Sequence, residues 1–221
     1  MWVISFTPTY GVCMITPMMK GREVIKKGET NPLTDLPYLF TTAEALAKGI
    51  SSSTFHRLAQ RGDFHSIARG LYMRDEEGIV DLDLAEIASK APSATICLTS
   101  ALAEHDLSDA IPKKLHIAIP RGTWAPRTTA AITWHRFDPE TFDIGRRERE
   151  IPGTNSTIGI YTPERTLADL ARHPKLDQAE LIEGIRRWLR KPGNHPANLL
   201  KVARRLPGAR YRIQTILEIL S

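Results

Sequence analysis

The sequence predicts an α/β (α+β) protein: an N-terminal helix-turn-helix with a strand hairpin, followed by a mixed α/β domain that ends in a helical tail. Three observations lead to this prediction. Two short helical patterns and a glycine-punctuated basic ribbon follow Phe40, three β-branched and aromatic segments lie further on, and helical periodicity dominates the end of the chain. We assign residues 1–37 to an irregular extension, 38–80 to the first domain and 90–221 to the second.

Composition narrows the class of protein. Of the 221 residues, 42% are hydrophobic, which is enough for a folded core, and the formal charge of +5 favours an anionic partner. Cys13 and Cys97 are too few for a disulfide framework or a cysteine zinc site, so a reducing cytoplasm is the expected compartment. The opening residues have neither a basic start nor an unbroken apolar run, so we expect no export signal and no membrane partner.

The first helical pattern begins after a proline-broken start. Four prolines interrupt the first 37 residues, and we expect irregular chain there. Thr41 or Thr42 can cap a helix whose third position is Glu44 or Ala45, and Gly49 ends that helix.

A second helix and a hairpin come next. The helix is expected to start near Ser52, which can accept hydrogen bonds from its first amides, and to stop at Gly62. It presents Phe55, Leu58 and Ala59 inward at i, i+3, i+4 spacing. The segment "FHSIARGLYMR" then predicts two short strands around Arg69-Gly70, with apolar members Ile67, Leu71 and Met73.

Two helices joined by a tight turn are typical of a helix-turn-helix, whose second helix enters the major groove of duplex DNA. Short hydroxyls allow close approach, Gln binds adenine in two-point fashion and Arg does the same with guanine. A basic ribbon after such a helix is typical of a wing. The expected DNA contacts are Ser51, Ser53, Thr54, His56, Arg57, Gln60 and Arg61 on the helix, with His65, Arg69 and Tyr72 on the ribbon. The alternative is a protein-interaction hairpin with ordinary solvated arginines.

The remaining elements predict the second domain. "VDLDLAEIASKAP" predicts a short helix closing near Pro92, and "SATICLTSALAEHDL" predicts an apolar helix. "KLHIAIP", "AAITWHRF" and "STIGIYT" predict strands. Four helical segments follow: "PERTLADLARH", "DQAELIEGIRRWLRK", "PANLLKVARRL" and "ARYRIQTILEIL". In the first of them Thr162 is the expected N-cap, and Asp169 can pair with Arg165 or Arg172.

Basic residues of the second domain suggest a second nucleic-acid surface. Arg121 and Arg127 flank Trp124 in a loop, but the preferred interpretation is a solvated loop with Trp124 packed on the core. The chain from Gly184 to Arg212 has no acidic residue, which strengthens the case for phosphate contact or an acidic partner. The candidates for this surface are Arg121, Arg186, Arg187, Arg190, Arg204 and Arg205, with Lys113, Lys114, His135 and Arg136 near the loop.

We find no catalytic set. Asp81 and Asp83 would share one side of a strand and could hold Mg²⁺, but no glycine-serine loop precedes them, and helix capping is favoured. The carboxylates of residues 138–143 lack the Glu-x-Lys partner of a restriction-type nuclease, and Ser100 and His105 lack a nucleophile elbow. The seven histidines lack metal-ligand spacing. We therefore expect no enzyme activity, no metal and no cofactor.

The segment "FTTAEALAKGISSSTFHRLAQRGDFHSIARGLY" resembles the N-terminal winged helix-turn-helix of AbiEi-type antitoxins. Downstream, "ICLTSALAEHDLSDAIPKKLHIAIPRG" and "IGIYTPERTLADLAR" resemble two blocks of that family's C-terminal domain. The resemblance extends from Tyr38 to the C-terminus. The charged, proline-broken "KGREVIKKGETNPLTDLPYL" departs from the regular helix that the family has ahead of the winged domain.

The resemblance implies an antitoxin of a type IV toxin–antitoxin system, linked to abortive phage infection. Such an antitoxin represses its own operon by binding promoter repeats, and it counteracts a nucleotidyltransferase-like toxin without a stable complex between the two. Two alternatives stay open: a nuclease that the winged domain targets to nucleic acid, and a stand-alone transcription regulator.

Overall fold

The computed structural model describes residues 3–6 and 13–16 as strands, and residues 32–74, 81–173 and 178–220 in full. The mixed α/β prediction is confirmed. The chain divides into two compact units. Met1–Ser89 and Glu150–Thr157 form the first unit, and Lys90–Arg149 and Ile158–Ser221 form the second.

The start of the chain contains a hairpin. β1 (Val3–Phe6) pairs antiparallel with β2 (Cys13–Thr16), with Val3 opposite Thr16. The prediction of irregular chain over residues 1–37 is therefore wrong for these two segments. β-Branched and aromatic residues favour extended backbone, and both segments contain such residues.

A three-stranded antiparallel sheet and two helices follow in the first unit. In chain order they are β3 (Leu39–Thr41), α1 (Thr42–Ala47), α2 (Ser52–Arg61), β4 (Phe64–Ala68) and β5 (Leu71–Arg74). β5 lies between β3 and β4 and pairs antiparallel with both. Two hydrogen bonds in this unit join residues that are far apart in the sequence. Arg74 Nη1 donates to the carbonyl of Leu33 at 2.7 Å, and the Leu39 amide donates to the carbonyl of Gly153 at 2.9 Å.

Apolar side chains of these elements form one core. The buried members are Leu33, Leu36, Phe40, Ala45, Ile50, Phe55, Leu58 and Phe64. Two of them, Leu33 and Leu36, lie in the segment that was predicted to be irregular. Ala59 was predicted to face inward and is exposed, because only Phe55 and Leu58 of α2 point at the sheet. α3 (Leu82–Lys90) completes the unit, and Asp81 caps it by accepting from the Leu84 amide at 3.0 Å.

The second unit is built on a five-stranded sheet. Its strands are β6 (Thr95–Ile96), β7 (Leu115–Pro120), β8 (Ile132–Phe137), β9 (Arg146–Glu150) and β10 (Thr157–Tyr161), in the spatial order β8-β7-β6-β10-β9. β6 runs parallel to β10 and antiparallel to β7, and β7 runs parallel to β8. The strands predicted at residues 115–120, 132–137 and 157–161 are present.

The sequence did not predict β9. Its sequence, "RRERE", has no apolar residue, so neither periodicity nor β-propensity marks it. It lies at the edge of the sheet, where charged side chains oppose pairing with another chain. Arg146 Nε donates to Thr95 Oγ1 at 2.9 Å and Arg149 pairs with Glu104 at 2.6 Å, so polar contacts hold this strand.

Six helices of the second unit are described: α4 (Leu98–Glu104), α5 (Pro139–Phe142), α6 (Pro163–Arg172), α7 (Gln178–Arg190), α8 (Pro196–Ala203) and α9 (Arg210–Leu220). The four tail helices follow the prediction. The apolar helix predicted from Ser93 onward begins only at Leu98, because Thr95 and Ile96 pair in the sheet. The core includes Leu98, Leu102, Leu167, Leu170, Ile185, Trp188, Leu199 and Ile213.

A buried ion network lies in α6. The Arg165 side chain is 0% exposed, and its Nε donates to Asp169 Oδ2 at 2.7 Å. Arg172 donates to the other oxygen of Asp169 at 2.9 Å, so both predicted pairings form at once. Arg165 Nη1 also donates to the carbonyls of Thr141 and Ile144, at 2.6 and 2.7 Å. The network therefore fixes the turn after α5 as well as α6.

Candidate nucleic-acid interface

α1 begins with a reciprocal cap. The Thr41 amide donates to Glu44 Oε2 at 2.7 Å, and the Glu44 amide donates to Thr41 Oγ1 at 3.2 Å. This capping box satisfies two amides that the helix leaves unpaired, which sets where α1 starts. α1 ends at Ala47, and the chain turns through Gly49, whose φ is +82°, to the buried Ile50. The turn places α2 directly after α1.

The first turn of α2 is organised by serine and threonine hydroxyls. Ser51, rather than the predicted Ser52, is the N-cap, and its Oγ accepts from the Thr54 amide at 3.2 Å. The same hydroxyl donates to Thr54 Oγ1 at 3.0 Å and lies 3.0 Å from Ser53 Oγ. Ser51 and Thr54 therefore position the start of the helix, and Ser51 and Ser53 are exposed while Thr54 is half-buried.

One face of α2 is polar and exposed along its whole length. Its members are Ser53, His56, Arg57, Gln60 and Arg61, all exposed and spaced i, i+3, i+4, i+7, i+8. This spacing puts five predicted contacts on one side of the helix, opposite Phe55 and Leu58. We call this set the α2 stripe.

The two arginines of the α2 stripe differ in their ion-pair partners. Arg61 Nε lies 3.4 Å from Asp63 Oδ2, which neutralises part of its charge. Arg57 has no carboxylate within ion-pair distance among the described residues. Arg57 is therefore the freer guanidinium for an external anion.

The hairpin of β4 and β5 follows the stripe. Arg69 is exposed at its tip, next to Gly70 with φ +79°, a conformation that side-chain-bearing residues rarely adopt. The register shifts between Ser66 and Ala68, and Ser66 Oγ donates to the Ala68 carbonyl at 3.3 Å. His65 is exposed on β4.

Tyr72 has a packing role. Its ring centroid lies 4.9 Å from that of Phe55 and 5.4 Å from that of Phe64, and it stacks at 6.0 Å on Phe40. An aromatic ring at the centre of such a cluster supports the sheet beneath α2. The predicted DNA contact of Tyr72 stays a prediction beside this packing role, and His65 and Arg69 are the exposed residues among the three predicted on the hairpin.

Local ion pairs neutralise part of the charge of the predicted second basic surface. Arg187 bonds to Glu183 at 3.1 Å and also to Asp109, and Arg186 bonds to Glu183 at 2.7 Å. These contacts reduce the uncompensated charge that the sequence suggested. Arg121 lies 3.8 Å from Asp138. The members exposed without an ion-pair partner in the described part of the chain are Arg190, Arg204 and Arg205.

Two of the carboxylates considered for catalysis cap helices. Asp81 caps α3, and Asp83 lies in its first turn rather than in a strand. Asp138 caps α5 by accepting from the Glu140 amide at 3.0 Å. His105 bonds to the carbonyl of Tyr161, away from Ser100, which accepts from the His116 amide. Among the described residues, no group of three or more His, Cys, Asp or Glu is arranged to hold a metal ion.

The fold nevertheless brings three distant histidines together in the second unit. His116 Nδ1 on β7 lies 3.1 Å from His135 Nε2 on β8, and the rings stack at 5.0 Å. The ring of His173, at the end of α6, lies 5.9 Å from that of His135. Burial, followed by the charges of His116 and His173, lowers the pKa of His135 to about 4, and burial lowers that of His116 too.

These histidines make stability depend on pH. In the unfolded chain a histidine has a pKa near 6.5, so between pH 6.5 and about 4 the unfolded state binds more protons. The free energy of unfolding of the second unit is therefore expected to fall as pH drops through this range. His135→Gln should flatten the decline in urea titrations at successive pH values. The control is His195→Asn, which keeps a capping side chain at an exposed position. An unchanged slope for His135→Gln would contradict the assignment.

Within the described residues, none of the helices is long and apolar enough to cross a bilayer. Comparison of the sequence with protein-family models and with curated proteins finds no match.

Proposed function

We propose that residues 38–74 act as a winged helix-turn-helix that binds duplex DNA, and that the protein is a cytoplasmic antitoxin that represses its own promoter. The α2 stripe carries the DNA-binding part. Five hydrogen-bonding side chains share one exposed helix face, behind which aromatic residues hold the helix on the sheet. Side chains of this kind match the donors and acceptors that base edges present in the major groove.

The DNA contact proposed for each residue of the α2 stripe follows from the exposure of its side chain and from its ion-pair partners. Arg57 is the candidate for a two-point contact to guanine, and Gln60 for one to adenine. Ser53 and the partly neutralised Arg61 are better suited to phosphate oxygens. Arg69 extends the basic surface on the hairpin, where a wing contacts the neighbouring backbone or minor groove. Phosphate contacts of this kind make binding salt-dependent, with a log–log slope of about −0.9 per contact.

The antitoxin part rests on the resemblance to AbiEi-type antitoxins. Its functional partner would be a nucleotidyltransferase-like toxin, counteracted by the second unit without a stable complex. Co-expression with the nucleotidyltransferase-like product of an adjoining gene tests this part directly. Restored growth on co-expression supports it, and unrelieved growth arrest would leave a transcription regulator without antitoxin activity.

Replacing Arg57 with Ala is expected to weaken binding to the promoter by about 1–3 kcal/mol, because a guanine contact would be lost. The measurement is a gel-shift titration against the DNA upstream of the gene, with unrelated competitor, at two salt concentrations. Arg57→Lys separates the roles of the side chain: it keeps the charge but not the two-point geometry, so it should bind nearly as weakly as Arg57→Ala.

Arg147→Ala is the control, since it removes an exposed arginine from β9 of the second unit and should leave promoter affinity unchanged. Wild-type affinity in Arg57→Ala would remove Arg57 from the interface. Binding of the wild-type chain that competitor abolishes would reduce the proposal to non-specific phosphate affinity.

A further inference from the structure

The loop between β7 and β8 is short for the connection it makes. The two strands are parallel, with Leu115 opposite Ile132 and Pro120 opposite Phe137. The chain must therefore return from the end of β7 to the start of β8, a distance of about 17–20 Å along six paired residues. Residues 121–131 make this return without a helix, close to the minimum length for a parallel crossover. We call this segment the crossover strap.

Hydrogen bonds fix the backbone of the crossover strap at several points. The Arg121 amide donates to the Phe137 carbonyl at 2.7 Å, and the Thr123 amide donates to the Pro120 carbonyl at 3.1 Å. Lys90 Nζ donates to the carbonyl of Arg127 at 3.0 Å. Gly122, with φ +93°, makes the first turn of the strap. A strap held in this way presents its side chains from a defined backbone.

The strap exposes a tryptophan. Trp124 is 82% exposed, which corrects the expectation that it packs on the core. Tryptophan is enriched at interfaces, because its large ring gains much by being covered while its N–H can stay in water.

The sequence on either side of Trp124 carries cations and no carboxylate. From residue 110 to residue 137 there is no Asp or Glu, and the cations of this stretch are Lys113, Lys114, Arg121, Arg127 and Arg136. Arg121 is 67% exposed, and its contact with Asp138 is a loose one at 3.8 Å. Arg127 and Arg136 are exposed and have no ion-pair partner among the described residues.

We propose that the crossover strap binds an unpaired polynucleotide strand, with one base stacked on Trp124 and adjacent phosphates on Arg121 and Arg127. Base stacking on exposed aromatics combined with cationic tracking of the backbone is how single strands are held. A duplex fits this surface poorly, because its bases already stack on each other. An acidic peptide would engage the cations but would leave the indole without a planar partner. This activity belongs to the second unit and is independent of the α2 stripe.

The test uses the full-length chain with fluorescent oligouridine and oligodeoxyuridine of about 15 nucleotides, a length within the range that single-strand binders occupy. Fluorescence anisotropy gives the affinity, and quenching of tryptophan emission reports stacking. Trp124→Leu is expected to weaken binding at least about tenfold and to abolish the quenching. Trp124→Phe keeps a ring and should retain much of the affinity. Comparing the two strands shows whether the 2′-hydroxyl adds to binding.

Tyr211→Leu is the matched control, since Tyr211 is an aromatic residue of equal exposure, 84%, on α9. It should leave single-strand affinity unchanged. Equal binding by wild type and Trp124→Leu, or an equal loss in Tyr211→Leu, would overturn the proposal. A competition experiment in the Arg57→Ala variant gives a further check. The proposal would also be overturned if unlabelled duplex DNA displaced the labelled single strand from this variant as effectively as an unlabelled single strand does.

Duplex binding by the α2 stripe and single-strand binding by the crossover strap can be tested independently. Trp124→Leu is expected to bind the promoter duplex as wild type does, and Arg57→Ala is expected to bind the single strand as wild type does. Arg127→Gln adds a second readout, because loss of one phosphate contact should reduce the salt slope of single-strand binding by about 0.7.

Discussion

Replacing Asp169 with Ala is expected to lower the free energy of unfolding of the second unit by about 3–5 kcal/mol, the usual cost of leaving a buried charge without its partner. Asp169 is 1% exposed and receives hydrogen bonds from Arg165 at 2.7 Å and Arg172 at 2.9 Å. Without it, the fully buried Arg165 guanidinium keeps only the carbonyls of Thr141 and Ile144. Stacking over the Tyr161 ring at 4.2 Å compensates for a small part of the loss.

Urea-induced unfolding followed by tryptophan emission measures this change, since Trp124, Trp134 and Trp188 all lie in the second unit. Asp109→Ala is the matched control. It removes a carboxylate that also pairs with an arginine, Arg187, but at an exposed site where ion pairs contribute little. If Asp169→Ala proves no more destabilising than Asp109→Ala, the network in α6 does not stabilise the unit as described.

The second large effect is expected at Phe55. Phe55→Ala should cost about 3–5 kcal/mol of the stability of the first unit, because it opens a cavity in a small core. The Phe55 ring lies 4.8 Å from that of Phe64 and 4.9 Å from that of Tyr72, so both neighbours lose a partner. A domain of this size has little stability to spare, and we expect the α2 stripe to lose its position and promoter binding to disappear.

Far-UV circular dichroism and a gel shift on the same preparation test this prediction. The helices of the second unit should remain while promoter binding is lost. Ala59→Ser is the control on the same helix, since Ala59 is exposed and its replacement should change stability by less than about 0.5 kcal/mol. If Ala59→Ser lowered the free energy of unfolding as much as Phe55→Ala does, Ala59 would face inward, as the sequence predicted.

Short-range chemistry made much of the fold predictable. Thr41 with Glu44, and Thr162 with Pro163, are cap signals that act within one helical turn, and the structure has both caps. Arg69-Gly70 is a turn signal of the same kind. β-Branched and aromatic residues marked β7, β8 and β10 as strands, of which β7 and β10 hold buried residues and β8 half-buried ones.

The features that could not be predicted depend on contacts between residues far apart in the chain. His116 and His135 meet only because β7 and β8 pair in parallel. The exposure of Trp124 could not be predicted locally, because an apolar ring in a loop can equally pack on the core. The packing of the Tyr72 ring against Phe55 was not predicted either, because it depends on β5 meeting α2.

The hydrogen bond from the Leu39 amide to the Gly153 carbonyl has a consequence for protein synthesis. The first unit is discontinuous in sequence, since Glu150–Thr157 belong to it as well as the N-terminal segment. A growing chain that has released only its first ninety or so residues therefore lacks one support of β3. Completion of the first unit is expected to wait until about two-thirds of the polypeptide has left the ribosome. If this unit binds the promoter as proposed, prematurely terminated chains would be poor occupants of it.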